Sequence, residues 1–351
     1  MDRQEKLRRL EATKRRVPAL SASALAGLLQ DIEANGLPGL SGRKHVKEAT
    51  VNSLDMNSYG DLIQIVHITG KDNKNIPLVY ANFFTLLQGF FLQCKPFRDL
   101  LISTMQGAAA RALSLCFYAD EINPGNSLAV EQNRKIWCVY LSFLEFGPVI
   151  LAREQAWLPI CCQRSTLVSA LPGGVSQLAA CILEDIFNSD RAEPEILGIQ
   201  LQGPAKELYK LRFTLGAFLQ DGQAHKLLFS VKGDSGTRCC ILCQNVVAQG
   251  SNLEDAVLTS LASAEEELIL TSDADFERSV QTLLRKHTEL NKGDFALWQQ
   301  ACGITYNPAA LIFQPSLQRL VKPISQWLHD WMHCFFQKGI WLLGLTIPFP
   351  S

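Results

Sequence analysis

Between Leu113 and Asp221 the chain spells strand, strand, strand, helix, strand, and few folds accept that order. The run ALSLCFYAD delivers two adjacent carboxylates, Asp120 and Glu121, and the turn signal Asn123-Pro124-Gly125-Asn126 follows at once. RKIWCVYLSFLEF (134–146) and WLPICCQRSTLVS (157–169) read as a second and a third strand, rich in aromatic and β-branched residues. Pro172-Gly173-Gly174 breaks the chain. VSQLAACILEDIFNS (175–189) then spaces apolar residues three and four apart, as an amphipathic helix does. YKLRFTLGAFLQD (209–221) reads as one long fourth strand ending on Asp221, and QAHKLLFSV (223–231) as a short helix.

That order matches a ribonuclease H-like fold, a mixed sheet of the α+β or α/β class. An antiparallel meander is followed by a crossover helix and a strand parallel to the first. In such a sheet the first and fourth strands lie side by side, so Asp120 and Asp221 face each other. Phosphodiester chemistry uses two divalent ions about 3.5–4 Å apart, one on the attacking and one on the leaving oxygen. Mg²⁺ takes hard oxygen ligands, usually one or two carboxylates. The alternative stays open that both acids are strand ends meeting water. Glu121 reads as a solvent-facing residue, with a base behind the metal-binding acid as the alternative; His225, four positions after Asp221, reads as a surface helix histidine, with a place near the metal site as the alternative. Arg134 and Lys135 read as a solvated strand end or a phosphate contact.

The flanks are more helical. Ser21 or Ser23 can cap a helix running through Glu33, with Asn35-Gly36 ending it. LIQIVHIT (62–69) alternates like a strand, and KDNKN (71–75) is a turn. LVYANFFTLLQGFFLQC (78–94) is the most membrane-like run. It is shorter than the ~20 residues a span needs and is interrupted by Asn82, Gln88 and Gln93, so it reads as a buried core helix. Three regions result: a mostly helical 1–110 with a basic start, a ribonuclease H-like core of 111–235, and a Cys-containing helical insertion over 236–351 that holds the truncated end of the core.

Composition narrows the setting. A net charge of −1 offers no global signal for nucleic acid, but the opening MDRQEKLRRLEATKRR is locally basic. That run reads as a solvated helix face, a nucleic-acid arm or a nuclear address. Eleven scattered cysteines are no compact disulfide framework, and no apolar leader follows the basic start; both features lead us to expect an intracellular, reducing setting. No Walker loop, dinucleotide fingerprint or nucleophile elbow is present.

Three blocks in order carry a likeness. They are YADEINPGNSLAVEQNRKIWCVYLSFLEF, FLQDGQAHKLLFSVKGDSGTRCCILCQN and HDWMHCFFQKGI. The first resembles the first acidic block of DDE-type eukaryotic transposases of the CACTA-like and Kyakuja-Dileera-Zisupton-like groups. The second resembles their aspartate with a trailing C-x-x-C, here Asp221 and Cys240-Ile241-Leu242-Cys243. The third looks like their D-x-M-H motif, with Asp330 and His333 in place. The resemblance spans roughly 113–343. It implies a nuclease and strand-transferase ancestry, with Asp120 and Asp221 as the first two metal-binding acids and Mg²⁺ or Mn²⁺ as the cofactor if the chain is active. It also implies that Cys240 and Cys243 work with Asp330 and His333, in a zinc or other structural metal site. On spacing alone a C-x-x-C is half a tetrahedral site, and small buried thiols remain the plain alternative. His287, His329 and Cys239 are further candidates. The family's third acid, a glutamate after the D-x-M-H block, has no counterpart in GIWLLGLTIPFPS. The expectation is therefore a truncated or degenerate copy whose cleavage activity is lost. The alternative is a non-catalytic DNA-binding or protein-interaction module on the same fold, and a plain structural protein is a third reading. DNA is the expected partner, the nucleus the suspected compartment, a homo-oligomer stays open, and a membrane is not expected.

Overall fold

The computed structural model describes residues 22–35, 59–108, 112–123, 134–190, 193–238, 240–246 and 268–329. The chain divides into two units, Met1–Ser53 and Leu54–Ser351. In the first, helix α1 (Ala22–Asn35) is described, ending at Asn35 as the Asn-Gly signal predicts. The rest concerns the second unit.

Strands β1 (Ile63–Thr69) and β2 (Asn75–Ala81) pair antiparallel as a hairpin. Asn73 in its turn takes a left-handed φ of 61°, which asparagine tolerates better than most residues. Helix α2 (Phe83–Gln93) begins five residues later than the apolar run predicts. Residues 78–81 alternate buried and exposed as β2, and the Asn82 side chain sets the boundary by accepting the Phe84 and Thr85 N–H groups at 3.0 and 3.3 Å. Buried Phe83, Phe84, Leu87 and Phe91 explain the high apolar content of α2. Eleven residues rise only about 16 Å. Among the described residues no helix is long and apolar enough to cross a membrane. Helix α3 (Lys95–Gly107) follows, with Pro96 in its first turn.

The principal sheet contains β3 (Leu113–Ile122), β4 (Ile136–Phe143), β5 (Leu158–Arg164), β8 (Phe213–Gln220) and β9 (Trp327–His329), in the spatial order β5-β4-β3-β8-β9. β3, β4 and β5 are antiparallel neighbours, whereas β8 lies parallel to β3 and β9 parallel to β8. The fold is thus mixed α and β around a mixed five-stranded sheet. Helix α4 (Ser165–Ala170) takes up the second half of the stretch read as the third strand. Helix α5 (Gly174–Phe187) then lies against the sheet, close to the predicted span.

One face of the sheet is apolar. Leu115, Phe117 and Ala119 of β3 sit beside Leu215 and Phe218 of β8 and Val139 and Leu141 of β4, all buried. Phe213 is the hub. Its ring meets Phe83 of α2, Phe143 of β4 and Phe187 of α5 at 5.5, 5.8 and 5.8 Å. Edge-on aromatic contacts of this kind add to plain burial. Ser176 ties three segments together: its hydroxyl donates to the Leu228 carbonyl and accepts the Leu311 N–H.

Two expectations change here. The stretch 209–221 is not one strand. Leu208–Leu211 (β7) pairs with β6 (Ile199–Gln202) in a separate hairpin, and the chain re-enters the main sheet at Phe213. The final strand, β9, carries no periodicity that would announce it. After β8 come α6 (Gly222–Leu228), then α7 (Asp273–Glu289) and α8 (Lys292–Cys302). α7 starts on a capping box between Ser272 and Asp275, and α8 ends on Gly303 in the left-handed region at φ 66°.

Candidate functional site

Asp120 lies within β3, not past its end, because the strand continues to Ile122. Alternation along β3 puts Ser114, Cys116, Tyr118 and Asp120 on the face opposite the apolar one. Asp221 directly follows β8. Tyr118 pairs with Leu219 in the parallel register, so two residues further along each strand Asp120 and Asp221 stand at the same level. Neighbouring strands run about 4.8 Å apart. The two acids are therefore adjacent at the carboxyl ends of the central strands, each half-buried.

Each acid is already engaged. The Tyr118 hydroxyl donates to Asp120 Oδ2 at 3.2 Å. Asp221 is the N-cap of α6, and its Oδ1 accepts the Ala224 N–H at 2.6 Å. One carboxylate oxygen of Asp221 is thus taken by its helix. Asp120 and Asp221 remain the oxygen donors whose chemistry suits a hard divalent cation. Glu121 belongs to the other face and forms an ion pair with Lys135 at 3.1 Å, which accounts for both residues without a phosphate. Residues 124–133 lie outside the described ones.

His225 is a correction. It is 2% exposed, not a surface residue. Its ring stacks on Trp327 with centroids 3.6 Å apart and planes 11° apart, and it also meets Phe229 at 4.7 Å. The short helix α6 turns this side into the junction with β9, on the apolar side of the sheet.

The surroundings of Asp120 contain a feature that motif reading passed over. In the β4 register Asp120 faces Cys138, and Cys138 in turn faces Cys162 of β5. Tyr118 and Tyr140 stack beside this row at 6.0 Å, and Trp157 closes on Tyr118 at 5.8 Å. Burial, with Cys162 adding to it, pushes the Cys138 thiol up to about 11. Burial also pushes the Tyr140 phenol up to about 12, helped by Cys138, Cys162 and Asp120. The even-numbered positions of three strands carry the signal, but it appears only once the strands are paired.

The C-x-x-C lies elsewhere. Residues 242–244 are bonded to 269–271: Thr271 N–H donates to Leu242 O and Gln244 N–H to Ile269 O, at 2.9 and 2.8 Å. Cys243 is buried and Cys240 half-buried. Between them and Cys302 sits Arg238, bonded to Thr271 Oγ1 at 2.5 Å. Burial holds the arginine pKa below its usual value, against the pull of Cys302, Cys240, Asp275 and Cys243 around it. Arg238 is half-buried among these thiols and puts a positive charge beside them, which opposes a divalent cation there. His287 is no substitute. It packs on Tyr306 and Phe295, and along α7 it stands twelve residues, about 18 Å, from Asp275 beside the knuckle. Asp330, His333, Cys239 and the side chain of His329 lie outside the described residues. Among the described residues no group of three or more His, Cys, Asp or Glu is arranged around one metal position.

A wide cleft lined by Tyr59, Asp190, Glu193, Glu195 and Arg319 is far from attractive to phosphate. Its arginine is paired with Glu195, leaving an acidic wall. No protein-family model matches the chain, and no curated protein matches it.

Proposed function

We propose that this chain is a transposase-derived protein on a ribonuclease H-like sheet, which binds DNA and has lost phosphodiester cleavage. What supports the fold reading is the strand order β5-β4-β3-β8-β9, with the first three strands antiparallel and the last two parallel to the first. The observation that carries the site reading is the shared level of Asp120 and Asp221 on adjacent parallel strands. Mg²⁺ or Mn²⁺ held there would neutralise charge on a phosphodiester. Asp120, steadied by Tyr118, supplies one carboxylate; Asp221 supplies the oxygen that its helix leaves over. Two carboxylates fit one hard cation, while cleavage on two ions calls for more ligands. Loss of cleavage and retention of DNA binding are the parts of this proposal that the assays below decide. On this reading the protein works inside the cell, in the nucleus.

The test has two arms. Mn²⁺ titration by calorimetry compares the wild type with Asp120→Asn and Asp221→Asn. Binding in the wild type that both variants lose supports the site; equal binding in all three removes it. Plasmid nicking and DNA binding are then measured across salt. Binding that weakens steeply with salt and no nicking fit the proposal. Nicking abolished by Asp120→Asn would restore an active enzyme, and no DNA binding at low salt would end the DNA reading.

A further inference from the structure

We infer that Cys138 and Cys162 form an oxidisable dithiol pair that hydrogen peroxide converts to a cross-strand disulfide. The two residues are direct antiparallel partners of β4 and β5, and their Sγ atoms stand 3.5 Å apart. Directly opposed antiparallel residues have Cα atoms about 4.5–5.5 Å apart, inside the range of about 4.4–6.8 Å found in disulfides. Closing to a bond of about 2.05 Å asks the sulfurs to approach by about 1.5 Å, within reach of small side-chain rotations. The β-bulge between Val139 and Tyr140 sits immediately beside the pair.

The division of labour follows from exposure. Cys162 is exposed and meets the oxidant, whereas Cys138 is 1% exposed and waits beneath it. Cys162, as thiolate, attacks one peroxide oxygen; the O–O bond breaks and, after proton uptake, water leaves with Cys162 as a sulfenic acid. Cys138 sulfur then attacks Cys162 sulfur. The S–S bond forms, the S–O bond breaks, and the Cys138 proton leaves with the hydroxyl as a second water. Two thiols lose two electrons and one peroxide gains them. Cys161, next in sequence, is excluded: it points to the other face and its thiol donates to the Val79 carbonyl. The bond would fasten the edge strand β5 to β4 in the same row as Asp120. This pair stands on its own geometry, whether or not the proposed metal site does.

The experiment uses the full chain, reduced, freed of reductant, titrated with hydrogen peroxide, alkylated and digested with trypsin. Cleavage after Lys135, Arg153 and Arg164 puts Cys138 on peptide 136–153 and Cys161 and Cys162 on peptide 154–164. The expected result is a linked 136–153/154–164 species in which fragmentation assigns the bond to Cys162. Dithiothreitol removes it, Cys161→Ser keeps it, and Cys162→Ser loses it and leaves Cys138 alkylatable. Circular dichroism checks that the exposed Cys162→Ser change leaves the fold intact. A bond through Cys161, over-oxidation of Cys162 with no linked species, or a Cys138 link that persists in Cys162→Ser would overturn the inference.

Discussion

Gly216→Ala tests the junction that brings the two acids level. β3 and β8 pair Leu115 with Leu215 and then Cys116 with Ala217, so Gly216 is the extra residue of a bulge. A Cβ at Gly216 would stand 2.4 Å from Ser114 Cβ and 3.0 Å from Ser114 Cα. The first separation is far below carbon contact, and the second involves backbone that cannot swing away. Overpacking of this kind costs about 1–3 kcal/mol. With a urea m-value of about 3 kcal/mol/M, the unfolding midpoint should fall by about 0.3–1 M. Tryptophan fluorescence of the full chain reads that midpoint. Ser114→Gly removes the closer contact at its own cost of about 0.5–1 kcal/mol. In that background the Gly216→Ala increment should shrink, though not vanish, since backbone contacts at 3.0 and 3.2 Å remain. Mn²⁺ affinity should fall with the misaligned strands. A Gly216→Ala protein as stable as the wild type, or an increment identical in both backgrounds, would refute the reasoning.

Other outcomes are expected alongside. Asp221→Ala should cost about 1 kcal/mol, because it removes the cap on α6, while Asp221→Asn should stay near the wild type, since asparagine caps as well. Equal losses in urea unfolding would mean that charge, not capping, matters there. Hydrogen bonds from Ser272 hold the Asp275 carboxyl below its ordinary pKa, with Arg278 assisting. Its contribution is therefore present above the unfolded carboxylate pKa of about 3.9 and lost as pH falls through the lower folded value. Asp275→Asn should flatten the acid limb of the stability curve, and an unchanged limb would count against the capping box. Phe213→Ala should cost about 3–5 kcal/mol, read as loss of cooperative unfolding or a large midpoint shift, because three aromatic partners lose their hub.

Much of the sheet was legible because its strands are long and chemically distinct. LSLCFYAD, IWCVYLSF and FTLGAFLQ each carry enough apolar and aromatic residues to name themselves, and the helix over 174–187 has almost four turns of clear periodicity. β6 and β7 have four residues each and β9 three, too few for a period to show. The start of α2 was obscured because strand and helix there are equally apolar; only the Asn82 cap separates them. Asp221 could be picked from the end of its strand, and Asp120 from the end of an apolar run that the strand itself outlasts by two residues. The Asp120–Cys138–Cys162 row could not, because it exists only in the register between three strands. His225 was misplaced for a similar reason: its burial comes from Trp327, which lies 102 positions away, a separation that local spacing does not see.

The late arrival of β9 has a consequence for synthesis. Phe218 of β8 pairs with Trp327, so 109 residues must follow Phe218 before that partner exists. At about 5–20 residues per second, the ribosome needs about 5–20 s to supply them. Throughout that interval the outer side of β8 has no β9 to pair with. An apolar strand left with an unpaired edge invites pairing with another chain. The nascent protein is therefore most prone to aggregation between the emergence of β8 and that of Trp327. Ribosome-bound chains stalled in this window should engage chaperones more strongly than chains stalled after β9 has emerged.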